Sequence, residues 1–241
     1  MSALQPVTGQ SPAMARAEFI RVFECTARHH GRWQVFHDFV TLAAGELDLA
    51  RVCTAENRAR MAALCGTYSP AEQAALQQLF CLMTDALSGG FQDFLGSVFM
   101  ELELGNDRGG QFFTPWSVSR MMAGLLVPGL KETLAREPFV SVTEPACGAG
   151  GLMIAYAADL AEAGFNPATQ LLVSCTDIDA VAADMAFIQL SLLGMAARVD
   201  TGNTLAGTVT RTRYTPVWYL EGWDDRVKTR EMLRAFRSLM A

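Results

Sequence analysis

Two strand-like runs in this 241-residue chain end in acidic residues beside turns, in the order and spacing of a site for a nucleotide-like cofactor. The first, Phe139-Val-Ser-Val-Thr, reaches Glu144 and then opens through Pro145-Ala-Cys-Gly148-Ala-Gly150-Gly into an apolar stretch. Glycine has no Cβ to hold a ligand away, so Gly148 and Gly150 would let backbone N–H groups approach one closely. Glu144, at the carboxyl end of that strand, is placed to accept a hydrogen bond from a bound amine, directly or through water. The second run ends in Cys175-Thr-Asp-Ile-Asp179, where Asp177 holds the position from which a carboxylate reaches ribose hydroxyls. Hydrogen bonds to such a charged group contribute about 1.5–3 kcal/mol each.

A plainer reading of these residues stands beside that one. The glycines make a tight strand-to-helix turn, and Asp177 or Asp179 caps the next helix, Asp179 being the better placed. Gly109-Gly110 is then a hinge, and Thr114 caps a helix opened by Pro115. Against the plain reading, Phe112, Phe113 and Trp116 crowd this linker with aromatic faces, which suits stacking or a seam between domains.

The pattern around these segments predicts an α/β fold. From Thr114-Pro115 onward, helix-spaced Val118, Met121, Met122, Leu125 and Leu126 precede a strand near 139–142 and a helix over 151–163. A buried strand over 171–175, a helix over 180–193 and a short strand over 198–201 follow. Such alternation implies right-handed crossovers and a parallel sheet. Ahead of it, residues 17–104 read as four or five helices. Ser69-Pro-Ala-Glu72 supplies a capping box, Gly89-Gly90 a stop, and 91–104 a last helix. The expected organisation is a loose stretch over 1–15, a helical domain over 16–108 and the cofactor domain over 109–241.

With 51% apolar residues the chain can build a sizeable core, and no apolar run is long enough to span a bilayer. The first seventeen residues lack the apolar segment of a signal peptide, so the expected location is the cytosol. Six scattered cysteines include no Cys-x-x-Cys pair, which argues against a zinc site or disulfide framework. Net charge is −6 but uneven: 8 basic against 5 acidic residues from Arg198 onward, 11 against 20 before it. The acidic body disfavours strong DNA binding by this chain alone. The basic tail (Arg226, Lys228, Arg230, Arg234, Arg237) reads either as a local DNA contact or as a solvated helix face.

Together these segments resemble the adenine-N6 DNA methyltransferases, specifically the modification subunit of type I restriction-modification systems. Gly110-Gln-Phe-Phe-Thr-Pro115 is similar to that family's Gly-Gln-Phe-aromatic-Thr-Pro. Glu144-Pro-Ala-Cys-Gly-Ala-Gly-Gly151 is similar to its Asp-Pro-Ala-Cys-Gly-Thr-Gly-Gly, and Asp177-Ile-Asp179 to its acidic turn. Residues 186–194 and Gly202-Asn-Thr-Leu205 extend the likeness. The resemblance implies a Rossmann-like methyltransferase fold binding S-adenosylmethionine. It implies cofactor contacts from Phe113, Thr114, Glu144, Pro145, Gly148, Gly150, Asp177, Ile178 and Asn203. Thr114 and Glu144 would serve the methionine end, Asp177 the ribose and Asn203 the adenine edge. Glu144 stands where aspartate is commoner, and Asn203 where aspartate often appears.

One family motif is absent. No Asn-Pro-Pro-aromatic sequence, and no Pro-Pro, occurs in the chain. In the family that loop holds the amine of an adenine that has left the duplex. Asn166-Pro167 precedes the second strand and reads as a loop turn. Thr215-Pro-Val-Trp-Tyr219 offers aromatics as a local stand-in, but no amide or carboxylate. No catalytic residue and no metal ligand are therefore assigned. The expectation is a shortened sheet of three or four strands whose open edge or apolar face needs cover, from residues 224–240, a second copy or a partner protein. The implied function is a methyltransferase-like protein impaired in methyl transfer by itself. The alternatives are an interaction platform, or a methyltransferase for a non-DNA substrate using the 214–219 aromatics.

Overall fold

The computed structural model describes residues 7–49, 54–105 and 112–240. Five helices come first: α1 (Pro12–Cys25), α2 (Arg32–Leu49), α3 (Ala55–Cys65), α4 (Pro70–Leu87) and α5 (Phe94–Glu101). The reciprocal cap on α4 forms as the sequence suggests: Ser69 N–H donates to Glu72 Oε2 at 2.8 Å and Glu72 N–H to Ser69 Oγ at 3.4 Å. α1 begins at Pro12, inside the stretch expected to be loose, and Ser11 caps it. Just before it, the Val7 and Thr8 N–H groups donate to the Asp85 carboxylate. α5 is shorter than the pattern over 91–104 suggests, because the Asp93 side chain accepts the Gly96 N–H at 2.9 Å and fixes the helix start there. Residues 1–6 and the expected hinge with Gly109, Gly110 and Gln111 lie outside the described residues.

The second half is α/β: α6 (Trp116–Leu134), β1 (Val140–Glu144), α7 (Gly151–Glu162), α8 (Pro167–Gln170), β2 (Leu171–Asp177), α9 (Ala180–Leu192), β3 (Ala196–Asn203), β4 (Thr208–Tyr214), α10 (Pro216–Leu220) and α11 (Trp223–Met240). Asn166, read as a turn, caps the short α8 through its side chain. β1, β2 and β3 pair in parallel in that order, and β4 returns antiparallel on β3. The third strand is twice the expected length, and β4 was not foreseen.

Register gives each face of the sheet its character. One face presents Val140, Val142, Leu171, Val173, Cys175, Ala197 and Val199 to α7, α9 and the helical layer. The core there runs continuously from Phe19, Phe36, Phe94 and Phe99 of the helices into Met153, Ile154, Val173 and Ile188. Each such side chain contributes about 1.5–3 kcal/mol on burial. β4 adds Arg211 and Arg213 to this face, where both pair with Asp184 of α9. Arg213 also reaches Asp48 of α2 at 3.2 Å and lies over the Phe187 ring at 5.2 Å, pinning the helical layer to the sheet.

The opposite face divides along its length. At the amino ends of the strands Phe139, Leu172 and Ala196 pack under Trp218 and Trp223. Toward the carboxyl ends it carries Thr143, Ser174, Thr176 and Arg198, none of them buried, together with Asp200. α11 covers only the first region. The Trp223 indole N–H donates to Ala168 O at 3.1 Å, Arg226 to Thr169 O at 2.7 Å, and Arg230 lies 4.0 Å over the Phe139 ring while donating to Ser141 Oγ. Arg234 and Arg237 approach Glu137. Arg226 and Arg230 thus hold the first half of α11 to the body, whereas Arg234 and Arg237, 55% and 66% exposed, make only loose ion pairs, so the second half of α11 is a solvated helix face. Beyond these contacts, Met232, Leu233, Phe236 and Leu239 leave an apolar stripe exposed.

Candidate functional site

A cavity of about 220 Å³ opens where the carboxyl end of β1 meets the start of α6 and α7. It gathers Phe113, Thr114, Glu144 and Gly148, four of the residues singled out in the sequence. Phe112, Phe113 and Met122 line it with aromatic and thioether surface, and no lysine or arginine is among its described lining residues. Glu144 brings its carboxylate here because its register places it on the helix-covered face of β1. One oxygen accepts the Ala146 N–H at 3.1 Å, fixing the rotamer without filling the acceptor's capacity. Pro115 ends the approach to α6, so Thr114 lies in extended backbone at the cavity edge.

The loop after β1 requires its glycines. Gly148 has φ of +53°, and a Cβ there would meet the Phe113 ring at 2.9 Å. Gly150, at φ of +87°, is the left-handed residue from which α7 starts. Asp177 reaches across from β2 to hold the loop: its Oδ2 accepts the Gly148 N–H at 2.8 Å and its Oδ1 the Asp179 N–H at 2.9 Å. Both oxygens are therefore oriented by backbone, each with a lone pair left. Asp179 is the cap of α9, accepting the Val181 N–H at 2.8 Å, as its spacing indicated.

Five sequence candidates lie outside the cavity lining: Gly150 and Asp177, which shape and hold its loop, and Pro145, Ile178 and Asn203. Pro145 offers its carbonyl to the Thr204 hydroxyl at 2.7 Å, which ties the β1 loop to the turn after β3. Ile178 is 71% exposed beside Asp177. Asn203 ends β3, and its Oδ1 accepts the Ala206 N–H at 3.0 Å, so the acceptor expected for an adenine edge is engaged within its own turn.

The aromatics proposed as a stand-in for the missing loop are elsewhere. β4 runs antiparallel to β3 and carries the chain back to the amino end of the sheet, about 20 Å away at roughly 3.3 Å per residue. There Thr215, fully buried, bonds Ala197 N–H and Met195 O, and Tyr214, Trp218 and Tyr219 pack on one another. These groups are core, and they do not meet the cavity.

The cavity also holds residues that the sequence reading passed over. Asp93 is 6% exposed, and its Oδ1 accepts the Gly96 N–H and the Gln189 side-chain N–H, both at 2.9 Å. Gln189, wholly buried on α9, also donates to Ala149 O at 2.8 Å and accepts the Leu95 N–H, so one amide joins α5, α9 and the glycine loop. Burial pushes the Asp93 carboxyl above the usual aspartate range, with the bonds from Gln189 and Gly96 opposing. Ser119, 1% exposed on α6, lines the same cavity with no partner for its hydroxyl among the described residues. The signal available in the sequence was weak: an aspartate and a serine at helix positions usually cap or face solvent. Cys147 lies in the loop with Cys175 of β2 against it, and the bond to Cys147 and then burial drive the Cys175 thiol well above its ordinary value.

These features lie within a recognisable stretch. The N-6 DNA Methylase family matches residues 94–215, from the first residue of α5 to the end of β4, just over half the chain. No curated protein matches. Among solved structures, a Listeria monocytogenes protein described as a class I S-adenosylmethionine-dependent methyltransferase is 19% identical over 81% of this chain and 55% of its own, with a TM-score of 0.48. The type I restriction-modification system methyltransferase subunit from Streptococcus thermophilus is 20% identical over 53% of this chain and 26% of its own, with a TM-score of 0.33. The chain thus spans about half the length of the first and a quarter of the second. The family match takes in both acidic strand ends, the glycine loop and all four strands, and the chain belongs to the N-6 DNA methylase family.

Proposed function

We propose that the chain binds S-adenosylmethionine at the carboxyl ends of β1 and β2, and that it is an adenine-N6 methyltransferase-like protein impaired in methyl transfer on its own. The observation that carries this reading is the cavity itself: carboxylates and no basic residue among its described lining, walled by aromatic and thioether surface, closed by a loop whose Gly148 cannot take a side chain. That lining fits a ligand end that is cationic and partly apolar. In this reading Thr114 and Glu144 hold the methionine end, Gly148 and Gly150 bring backbone close, Asp177 takes the ribose with its remaining lone pairs, and Ile178 and Asn203 border the base. The cofactor supplies a methyl group activated by its sulfonium. Among the described residues no group replaces the absent Asn-Pro-Pro-aromatic loop, since the 214–219 aromatics lie at the far end of the sheet. No described helix is long and apolar enough to cross a membrane; we place the protein in the cytosol. Calorimetry with S-adenosylmethionine tests the reading. Saturable binding by the native chain, weakened about ten- to a hundredfold in Asp177→Asn, is expected from the loss of charge-assisted bonds. A native chain that takes up no heat of binding sinks it.

The exposed Met232, Leu233, Phe236 and Leu239 favour a second reading, in which the fold also serves as a platform for another polypeptide. Contact with DNA then depends on that assembly, since the body is acidic and Arg226 and Arg230 of the basic tail are engaged within the chain. Methyl incorporation into DNA by the isolated chain, abolished by Asp177→Ala, would exclude a purely non-enzymatic role.

A further inference from the structure

The cavity contains two polar groups whose arrangement helix capping and packing do not explain. Asp93 is the cap of α5 and Ser119 lies on α6, and neither belongs to a strand-end segment. A carboxylate that only capped α5 would do so as well in water, where its charge costs nothing. Here it is almost wholly buried, and a neutral amide, Gln189, is fixed against its Oδ1 by bonds to Ala149 and Leu95. The other oxygen, Oδ2, has no hydrogen bond among the described residues. It stands where a Cβ on Gly151 would lie, 2.9 Å away, which leaves it beside the first turn of α7. Ser119 is more exceptional. A hydroxyl buried without a hydrogen-bond partner among the described residues forfeits about 1–3 kcal/mol, and Ser119 lines the cavity although its Oγ is itself closed off from solvent.

We propose that Asp93 and Ser119 bind the amino-acid end of the cofactor, Asp93 Oδ2 accepting from its ammonium and the Ser119 hydroxyl donating to its carboxylate. This rests on the reading that the cavity takes S-adenosylmethionine. Glu144 and Asp93 then approach the ammonium from two elements, and the ligand brings a positive charge that none of the described lining residues provides. The Gln189 amide makes Asp93 a preset group: its bond to Ala149 O couples the position of the carboxylate to that of the glycine loop, so the two sides of the pocket are held in register. The site selects for the amino acid, leaving the nucleoside to the β2 and β3 ends.

Two ligands separate this inference from the reading beneath it. S-Adenosylmethionine and 5′-methylthioadenosine share the nucleoside, but only the first carries the ammonium and carboxylate. Calorimetry on the native chain, Asp93→Asn and Ser119→Ala is expected to show S-adenosylmethionine weakened at least about tenfold by the first substitution and severalfold by the second. Binding of 5′-methylthioadenosine is expected to be unchanged in both. Asparagine keeps the cap on Gly96 and the acceptor for Gln189, and alanine at 119 removes an unpaired polar atom, so neither variant should melt below the native chain. A native chain that binds S-adenosylmethionine, with both variants binding it equally well, overturns this inference and leaves the cofactor reading intact. Equal losses for both ligands assign the effect to the loop and overturn it as well. A native chain that binds neither ligand removes both.

Discussion

The two faces of the sheet solve burial in opposite ways. On the face toward α7 and α9 every position is committed, including two arginines and an aspartate that a sequence pattern would send to solvent. On the other, a small cluster under Trp218 and Trp223 gives way to threonine, serine and arginine, as in a sheet built to stay open there. A sheet of parallel strands is ordinarily covered on both faces and reads as continuous apolar runs. β1, Val-Ser-Val-Thr-Glu, instead alternates, and β2 begins to alternate at Ser174. The shortened sheet is therefore matched to its exposure: the expected need for a cover applies to the α11 stripe and the free edge of β1, and much less to the polar face.

The strongest way to break the contrast is at the ion pairs. Removing Asp184 leaves Arg213, 5% exposed, without its partner on α9. Asp184→Ala should cost about 3–5 kcal/mol, the range for breaking a buried ion pair, even though Arg213 keeps Asp48, read as a lower urea midpoint. The helical layer should loosen with it, because Arg213 also holds Asp48. The apolar end of the open face comes next. Trp223→Ala should cost about 3 kcal/mol or more from the lost core contact and free α11, visible as faster hydrogen exchange over 223–240. An unchanged exchange rate there would mean that the arginine contacts alone dock the helix.

How legible this was depended on which face a residue serves. The helix-covered face announced itself through apolar periodicity, and the acidic strand ends with their glycine loop were found residue by residue. β4 was missed because its inward positions, Arg211 and Arg213, are charged, so Thr-Val-Thr-Arg-Thr-Arg-Tyr carries no apolar alternation to mark a buried side. The antiparallel return of β4 in turn made the 214–219 aromatics seem close to the site when they are a strand's length away. Asp93 and Ser119 were passed over for a related reason. Their significance lies in being buried beside a cavity built from distant segments, and single helical positions do not encode that.

Asp93 gives a test with a pH sign. Its carboxyl titrates above the usual range in the folded chain because burial disfavours the charge, and Glu144 and Cys147 are the other titratable groups lining its cavity. An acid whose folded value is raised adds stability fully below its unfolded value, near 4, and loses it as pH climbs through the folded one. Asp93→Asn abolishes that titration. The variant should therefore have the higher urea midpoint at pH 7, and the gap should close as pH falls toward 4. A gap that widened in acid would mean that Asp93 is stabilised as the anion.

The smallest expected effect probes the open face most directly. Thr143 is exposed in the middle of the polar rows, whereas Phe236 is 63% exposed on the α11 stripe. If the polar rows face water, Thr143→Lys places one more charge where threonine, serine and arginine already stand. It should shift stability by no more than about 0.5 kcal/mol, the usual range for surface sites, with no change in sedimentation. Phe236→Glu should be equally mild for the isolated fold, yet should abolish any association that the native chain shows. A Thr143→Lys chain that dissociates a native complex would reverse the assignment: the polar face would then be the covered one, and the alternation in β1 would record a polar interface rather than solvent.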